Sequence, residues 1–123
     1  MKIEKFEDIE SWKAARELTH KVYNLCNNGR FSRDYGLRDQ IQRASVSIMA
    51  NIAEGFDSKS NKSFLNFLNY SFRSASEVQS LLYVAMDQNY ITMEEFDCIY
   101  RETIRIKSLL MGLSRYLNKT LTD

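Results

Sequence analysis

The sequence predicts an all-α protein, an antiparallel up-and-down four-helix bundle, from three observations. The 123-residue chain holds no proline and only four glycines, so it is poor in the residues that turns favour. Apolar residues recur at spacings of three and four along four segments, which is typical of one helical face. The connections between these segments are short enough for antiparallel neighbours. Length and composition indicate one domain, residues 1–123.

The first two helices are predicted over about residues 9–28 and about residues 33–54. In the first, Ile9, Trp12, Ala15, Leu18, Val22 and Leu25 share a face. Asp8 is its expected N-cap, and Asn27, Asn28 and Gly29 are expected to end it. In the second, the apolar residues are Leu37, Ile41, Ala44, Ile48 and Ile52. Ser32 is its expected N-cap and Gly55 its expected stop.

The last two helices are predicted over about residues 61–89 and about residues 92–118. The third carries Phe64, Leu68, Ser71, Ala75, Val78, Leu82 and Ala85 in register. Thr92 and Glu95 form a capping box at the start of the fourth, because each side chain can satisfy the other residue's backbone N–H. The apolar face of the fourth helix consists of Phe96, Ile99, Ile106, Leu110, Leu113 and Leu117.

Charge and hydropathy exclude several classes of protein. The formal net charge is +1, so no global field draws the chain toward nucleic acid or anionic lipid. The N-terminal MKIEKFEDIE lacks the apolar run of a signal peptide. No run of about 18 apolar residues is present for a membrane span. These features predict a cytoplasmic protein without membrane contact.

Catalytic residues are scarce, so no enzymatic activity and no cofactor or metal are predicted. His20 is the only histidine, so a histidine pair for a metal or a relay is lacking. Cys26 and Cys98 have no neighbouring motif that would activate a thiolate. The sequence contains no glycine-rich phosphate loop, and its carboxylates are too separated in pattern for paired acid–base chemistry.

The second predicted helix lacks a side built for water. Between Arg43 and Glu54 lie ten residues without a formal charge. Opposite the core stripe lie Val46, Met49, Ala50 and Ala53. A helix that is apolar nearly all round is normally buried, which predicts a homo-oligomer with these four residues in the interface. FLNFLNYSF, residues 64–72, spreads apolar side chains over roughly 220° and favours the same conclusion. The alternative is a monomer with aromatic residues lying on its surface.

A polar stripe lies beside the core stripe of the second helix. It comprises Gln40, Arg43, Ser47, Asn51 and Glu54, and Ser74 and Glu77 share one face of the third helix. If the two helices are neighbours, Arg43 could pair with Glu77 or Glu54, because half-buried charges need partners. Two interpretations remain open, a hydrogen-bonded network that fixes helix register or subunit docking and a ligand or phosphate site.

The fourth helix carries basic residues along one continuous face. Arg101, Arg105, Arg115 and Lys119 follow helical spacing together with Ser108 and Gly112, and no acid lies between Glu102 and Asp123. Repeated around an oligomer, this stripe would concentrate positive charge and predicts RNA binding. The alternative is a solvated face whose late bases suit the helix dipole.

The segment YGLRDQIQRASVSIMANIAEG, residues 35–55, resembles the signature of the four-helix-bundle family related to proteins encoded in 23S rRNA intervening sequences. The matching residues are Gly36, Leu37, Gln40, Arg43, Ala44, Ser47, Ile48, Ala50, Asn51, Ile52, Ala53, Glu54 and Gly55. Outside this segment, the similarity extends to Trp12, Ala15, Phe67, Leu68, Ser74 and Glu77.

The resemblance implies a left-handed bundle that assembles as a ring-like homopentamer without known enzymatic activity. Similar proteins include an accessory subunit of diversity-generating retroelements, which engages RNA and a reverse transcriptase. The sequence therefore predicts a non-enzymatic, oligomeric protein associated with RNA or ribonucleoprotein. The alternative is an oligomeric protein-binding scaffold without nucleic-acid contact.

Overall fold

Four helices make up most of the chain in a computed structural model, which describes residues 2–122 and the side chains of residues 2–119. The helices are α1 (Glu10–Cys26), α2 (Tyr35–Phe56), α3 (Asn61–Asp87) and α4 (Met93–Thr122). Two short 3-10 turns, Phe6–Asp8 and Gly29–Arg33, precede α1 and α2. Residues 2–122 contain no strand, and the predicted all-α class with four helices is confirmed.

Contacts between the helices follow their order in the chain. Each helix packs against the next, and α1 also packs against α4, as in an up-and-down bundle. Lys21 on α1 donates a hydrogen bond to Glu102 on α4 at 2.9 Å, and this bond raises the pKa of Lys21. Within residues 2–122, no helix is both long and apolar enough to cross a membrane.

The core consists of the apolar stripes that the periodicity predicts. Its largest fully buried apolar side chains are Phe31, Leu18, Ile41, Ile48, Ile52, Leu68, Leu82, Ile106, Leu110, Val22 and Val78. Most of these residues lie on the predicted faces, because burying one continuous stripe per helix removes the most apolar surface from water. Phe31 is the exception, since it lies in the turn between α1 and α2.

Two predicted N-caps are wrong, because the side chains of Asp8 and Ser32 form hydrogen bonds at the 3-10 turns before α1 and α2. Asp8 accepts hydrogen bonds from the backbone N–H groups of Glu4 and Lys5 at 3.0 and 3.3 Å, and Ile9 precedes α1 without a side-chain cap. Ser32 donates to the Gly29 carbonyl at 2.6 Å. Asp34 caps α2 instead.

Two predicted helix ends are confirmed, at the C-terminus of α1 and the N-terminus of α4. Asn27 follows the last residue of α1, and Gly29 adopts a left-handed φ of +43°, which favours glycine. The Thr92 N–H donates to the Glu95 carboxylate at 2.9 Å, and the Glu95 N–H donates to the Thr92 hydroxyl at 3.1 Å. This is the reciprocal pattern of a capping box.

Asp34 also links the two connections at one end of the bundle. One carboxylate oxygen accepts from the Leu37 N–H at 3.1 Å, and the other accepts from the Tyr90 hydroxyl at 2.9 Å. The Tyr90 ring stacks on buried Phe31 at 5.4 Å, and Arg30 lies over Tyr90 while donating to the Gln88 carbonyl at 3.0 Å. The turn before α2 is thereby joined to the turn before α4.

Gly55 does not stop α2 as predicted, because the helix continues to Phe56. Gly55 is buried against α3. A Cβ at this position would lie 2.7 Å from the Phe67 Cβ and 2.8 Å from the Phe64 Cδ1. Glycine is therefore required here for the close approach of two helices rather than for a turn.

We expect Gly55→Ala to lower the free energy of unfolding by about 1–3 kcal/mol, because the added methyl group overpacks the contact with Phe67. Urea denaturation measures the change. Gly36→Ala is the matched control in the same helix, since its Cβ would lie 3.9 Å from the nearest atom. The control should be neutral or stabilising by up to about 1 kcal/mol. Equal stability of both variants would contradict the packing role.

Candidate functional site

A polar cluster lies between α2 and α3, formed by part of the predicted stripe. The Ser47 and Ser74 hydroxyls lie 2.9 Å apart. The Asn51 amide nitrogen donates to the Ser47 carbonyl at 2.9 Å and to its hydroxyl at 3.0 Å. All three residues are half-buried. The hydrogen bonds fix these side chains against one another, so the cluster is a rigid polar floor between two helices.

The charged members of the predicted stripe lie further out. Gln40 donates to Glu77 at 3.3 Å, which links the exposed edges of α2 and α3. Arg43 and Glu54 are also exposed. Among residues 2–119, Arg43 forms no salt bridge, with Glu77, Glu54 or any other residue. The structure therefore links five of the seven predicted residues, in two separate hydrogen-bonded groups, and leaves Arg43 and Glu54 outside both.

A shallow groove of about 390 Å³ opens over this floor. Its lining residues are Ser47, Asn51, Tyr70, Arg73, Ser74 and Glu77. Tyr70 and Arg73 are not among the predicted site residues. Their spacing was a usable signal, because Tyr70 precedes Ser74 by four residues and Arg73 follows Tyr70 by three, and residues at these spacings are neighbours on the helix surface.

Two other hydroxyl groups form hydrogen bonds between helices, away from this groove. The buried Ser71 hydroxyl donates to the Ile48 carbonyl across the α2–α3 contact at 2.8 Å. The Thr19 hydroxyl donates to the Ser45 carbonyl across the α1–α2 contact at 3.2 Å. Such bonds satisfy buried polar groups and help fix helix register.

The predicted basic face of α4 is exposed along its length. Arg101, Arg105, Arg115 and Lys119 all lie at the surface. Within the described part of the chain, none of the three arginines forms a salt bridge. Ile104 and Met111, which are 52% and 46% exposed, lie along the same face. The predicted face did not include these two residues, because only polar and basic residues were selected to define it.

Lys107 does not belong to this surface, because it turns into the contact between α3 and α4. Its amine donates to the Gln79 carbonyl oxygen at 2.8 Å and lies 4.8 Å from the centre of the Phe72 ring. Gln79 in turn donates to the buried Thr103 hydroxyl at 2.9 Å. Burial lowers the pKa of Lys107. The side chain thus acts as a structural bridge between two helices.

The predicted interface residues of α2 are only partly covered within one subunit. Val46 is 39% exposed, and Met49, Ala50 and Ala53 are half-buried. Met49 packs against the core, and the 3-10 turn Phe6–Asp8 contacts α2. The subunit itself therefore covers part of the uncharged stretch and leaves a strip of small side chains open.

The wide apolar arc of α3 is mostly explained within the subunit. Phe64 and Leu68 are buried, and Leu65 and Phe72 are half-buried against the core. This arc is broad because α3 packs against both α2 and α4. Tyr70 alone of the aromatic residues in 64–72 is exposed, at 52%.

Comparison with protein families gives a match over nearly the whole bundle. The profile described as 23S rRNA-intervening sequence protein matches residues 7–112. The chain belongs to the 23S rRNA-intervening sequence protein family. This match includes the polar cluster of α2 and α3 and the first half of the basic face of α4.

A solved structure supports the fold of this family member. The chain is similar to a Bacteroides thetaiotaomicron protein of unknown function from the S23 ribosomal protein family, whose crystal structure was determined at 1.70 Å. The TM-score is 0.78 at 26% sequence identity, over 85% of this chain and 97% of the other. No protein of curated function matches the sequence.

The nucleophilic and metal-ligating side chains of this family member are dispersed. His20 is exposed beside Asn24, Cys98 is exposed, and Cys26 is buried. Burial raises the pKa of the Cys26 thiol to about 11, although a hydrogen bond with Gln42 opposes the shift. Among the described residues, no three His, Cys, Asp or Glu side chains are grouped to hold a metal.

We expect the two thiols to react very differently with 5,5′-dithiobis(2-nitrobenzoic acid) at pH 8. Cys98 should react at once, whereas Cys26 should react only after unfolding in guanidinium, because its thiolate is scarce below a pKa of about 11 and its sulfur is buried. The absorbance of the released nitrothiobenzoate anion measures the fast and the slow reaction, and Cys98→Ser should remove the fast reaction. Rapid reaction of both thiols in the native protein would contradict the buried position of Cys26.

Proposed function

We propose that the protein is a non-enzymatic homo-oligomer that associates with RNA or ribonucleoprotein through the basic face of α4. The observation that carries this proposal is the alignment of Arg101, Arg105 and Arg115 on one exposed face without salt bridges in the described part of the chain. Arginines without carboxylate partners are available to phosphate oxygens, which they bind as paired hydrogen-bond donors.

Assembly would make this face effective despite the small net charge. A formal charge of +1 gives one subunit little attraction for RNA. Copies arranged around a ring would bring several α4 faces to one particle, and each phosphate contact releases a counterion from the nucleic acid. The name of the family, which refers to an intervening sequence of 23S rRNA, also supports an RNA partner.

The outer strip of α2 supports the homo-oligomer. Val46, Ala50 and Ala53 are small or apolar and remain partly exposed in one subunit, so a neighbouring copy could approach closely. We propose a ring-like homopentamer, the assembly that the family resemblance implies. The dispersed histidine and cysteines support the absence of enzymatic activity, because general acid–base and nucleophilic catalysis both need adjacent groups.

We expect Arg105→Glu plus Arg115→Glu to weaken binding to structured RNA at least tenfold and to reduce its salt dependence, because two phosphate contacts are lost. Fluorescence anisotropy across a salt series measures both quantities. Arg16→Glu plus Arg33→Glu is the matched control, since it changes the net charge equally at exposed positions away from α4. If both double variants lose RNA affinity equally, binding depends on the net charge of the protein and not on the α4 face.

We expect Ala50→Glu to reduce the particle mass measured by light scattering, because a carboxylate buried between copies would lack a partner. Ser80→Glu, which places the same charge at an exposed position of α3, should leave the mass unchanged. An Ala50→Glu particle with the mass of the unmodified protein would refute this interface.

A second candidate is an oligomeric scaffold that binds a protein and no nucleic acid. The exposed Ile104 and Met111 on the α4 face favour it, because apolar side chains gain more from a protein surface than from phosphates. Affinity capture from lysate with and without nuclease separates the two functions. Partners that survive digestion favour the scaffold, and partners that are lost favour the RNA-associated protein.

A further inference from the structure

We propose that the α2–α3 groove binds one unpaired nucleotide of a single-stranded RNA segment. This inference rests on the proposed RNA association and adds a second contact, away from the basic face of α4. The groove combines three features in about 390 Å³: an exposed aromatic ring, an arginine and a fixed polar floor. Each feature matches one part of a nucleotide, respectively the base, the phosphate and the hydrogen-bonding edge of the base.

Tyr70 supplies the surface on which a base can stack. Its ring is 52% exposed, although the apolar residues around it on α3 are covered. Bases stack on aromatic side chains irrespective of their sequence, because every base has a π-face. Tyr70 and Arg73 lie three residues apart on one helix surface, so a base on the ring places its phosphate within reach of the guanidinium.

Arg73 is suited to that phosphate because it has no competing partner. It is exposed and forms no salt bridge with any residue of the described chain. Glu77, four residues further along α3, is held instead by Gln40 at 3.3 Å. The Glu77 carboxylate repels a phosphate from the end of the groove where Glu77 lies. The phosphate of the bound nucleotide is therefore directed toward Arg73.

Asn51 supplies a hydrogen-bond acceptor for the edge of the base. Ser47 faces Ser74 at 2.9 Å. Asn51 is one turn beyond Ser47 on α2, and Tyr70 is one turn before Ser74 on α3, so antiparallel helices bring Asn51 and Tyr70 to the same level. The Asn51 amide nitrogen is committed to Ser47. Its carbonyl oxygen, which has no partner among the described residues, can accept from the N–H groups on the edge of a base.

This chemistry selects single strands over duplexes. In an RNA duplex the base faces and their Watson–Crick edges are covered by stacking and pairing, so Tyr70 and Asn51 have nothing to contact. The groove and the basic face lie on different helices, and α3 packs between α2 and α4.

The test compares a labelled 12-nucleotide RNA without self-complementarity with the same sequence as a duplex, by fluorescence anisotropy. We expect the unmodified protein to prefer the single strand, and Tyr70→Ala to weaken single-strand binding about tenfold while leaving duplex binding unchanged. Tyr70→Phe, which keeps the ring, should retain the preference. Tyr23→Ala is the matched control, since Tyr23 is an exposed tyrosine on α1 outside the groove.

Three results would overturn this inference, and the first of them separates it from the proposed function. If Tyr70→Ala keeps the single-strand preference while Arg105→Glu plus Arg115→Glu lowers binding of both RNAs, the α4 face binds RNA and the groove does not. If the unmodified protein binds neither RNA, both proposals fail together. If Tyr70→Ala loses affinity only with a fall in particle mass, Tyr70 belongs to a contact between copies.

Discussion

The close approach of α2 and α3 is the constraint on which the rest of the bundle depends. It requires glycine at position 55, where a Cβ would lie 2.7 Å from that of Phe67, and it requires a short side chain at Ser71, whose hydroxyl reaches the Ile48 carbonyl. Larger side chains would separate the helices and break these hydrogen bonds. The same proximity brings Ser47 and Ser74 into contact, so the polar cluster is a direct result of the packing.

The elements that periodicity specifies were predictable from the sequence. Burial follows spacing in all four helices, and the Thr92–Glu95 capping box forms as its pattern indicates. Asp8 and Ser32 were wrongly expected as N-caps, because a 3-10 turn competes for a short polar side chain as effectively as a helix does. Gly55 has the residue type of a helix end, and only the position of α3 shows that it serves packing.

The sequence predicted where the candidate site residues lie, but it did not predict which side chains they contact. Helical spacing placed Gln40, Ser47 and Asn51 on the face that meets α3, whereas the pairing of Glu77 with Gln40 instead of Arg43 depends on side-chain reach. The polar candidate residues cluster on two surfaces. One is the exposed side of α4, and the other lies beside the outer strip of α2, which is the interface of the proposed homo-oligomer.

The link made by Asp34 has a consequence for how the native state opens. Tyr90, Phe31 and Arg30 tie together two of the three interhelical connections at one end of the molecule. Among the described residues, the opposite end consists of the connection from α2 to α3, the N-terminal end of α1 and the C-terminal end of α4. We therefore expect local opening to differ between the two ends of the bundle. Amide protons should exchange with solvent sooner at the end away from Asp34.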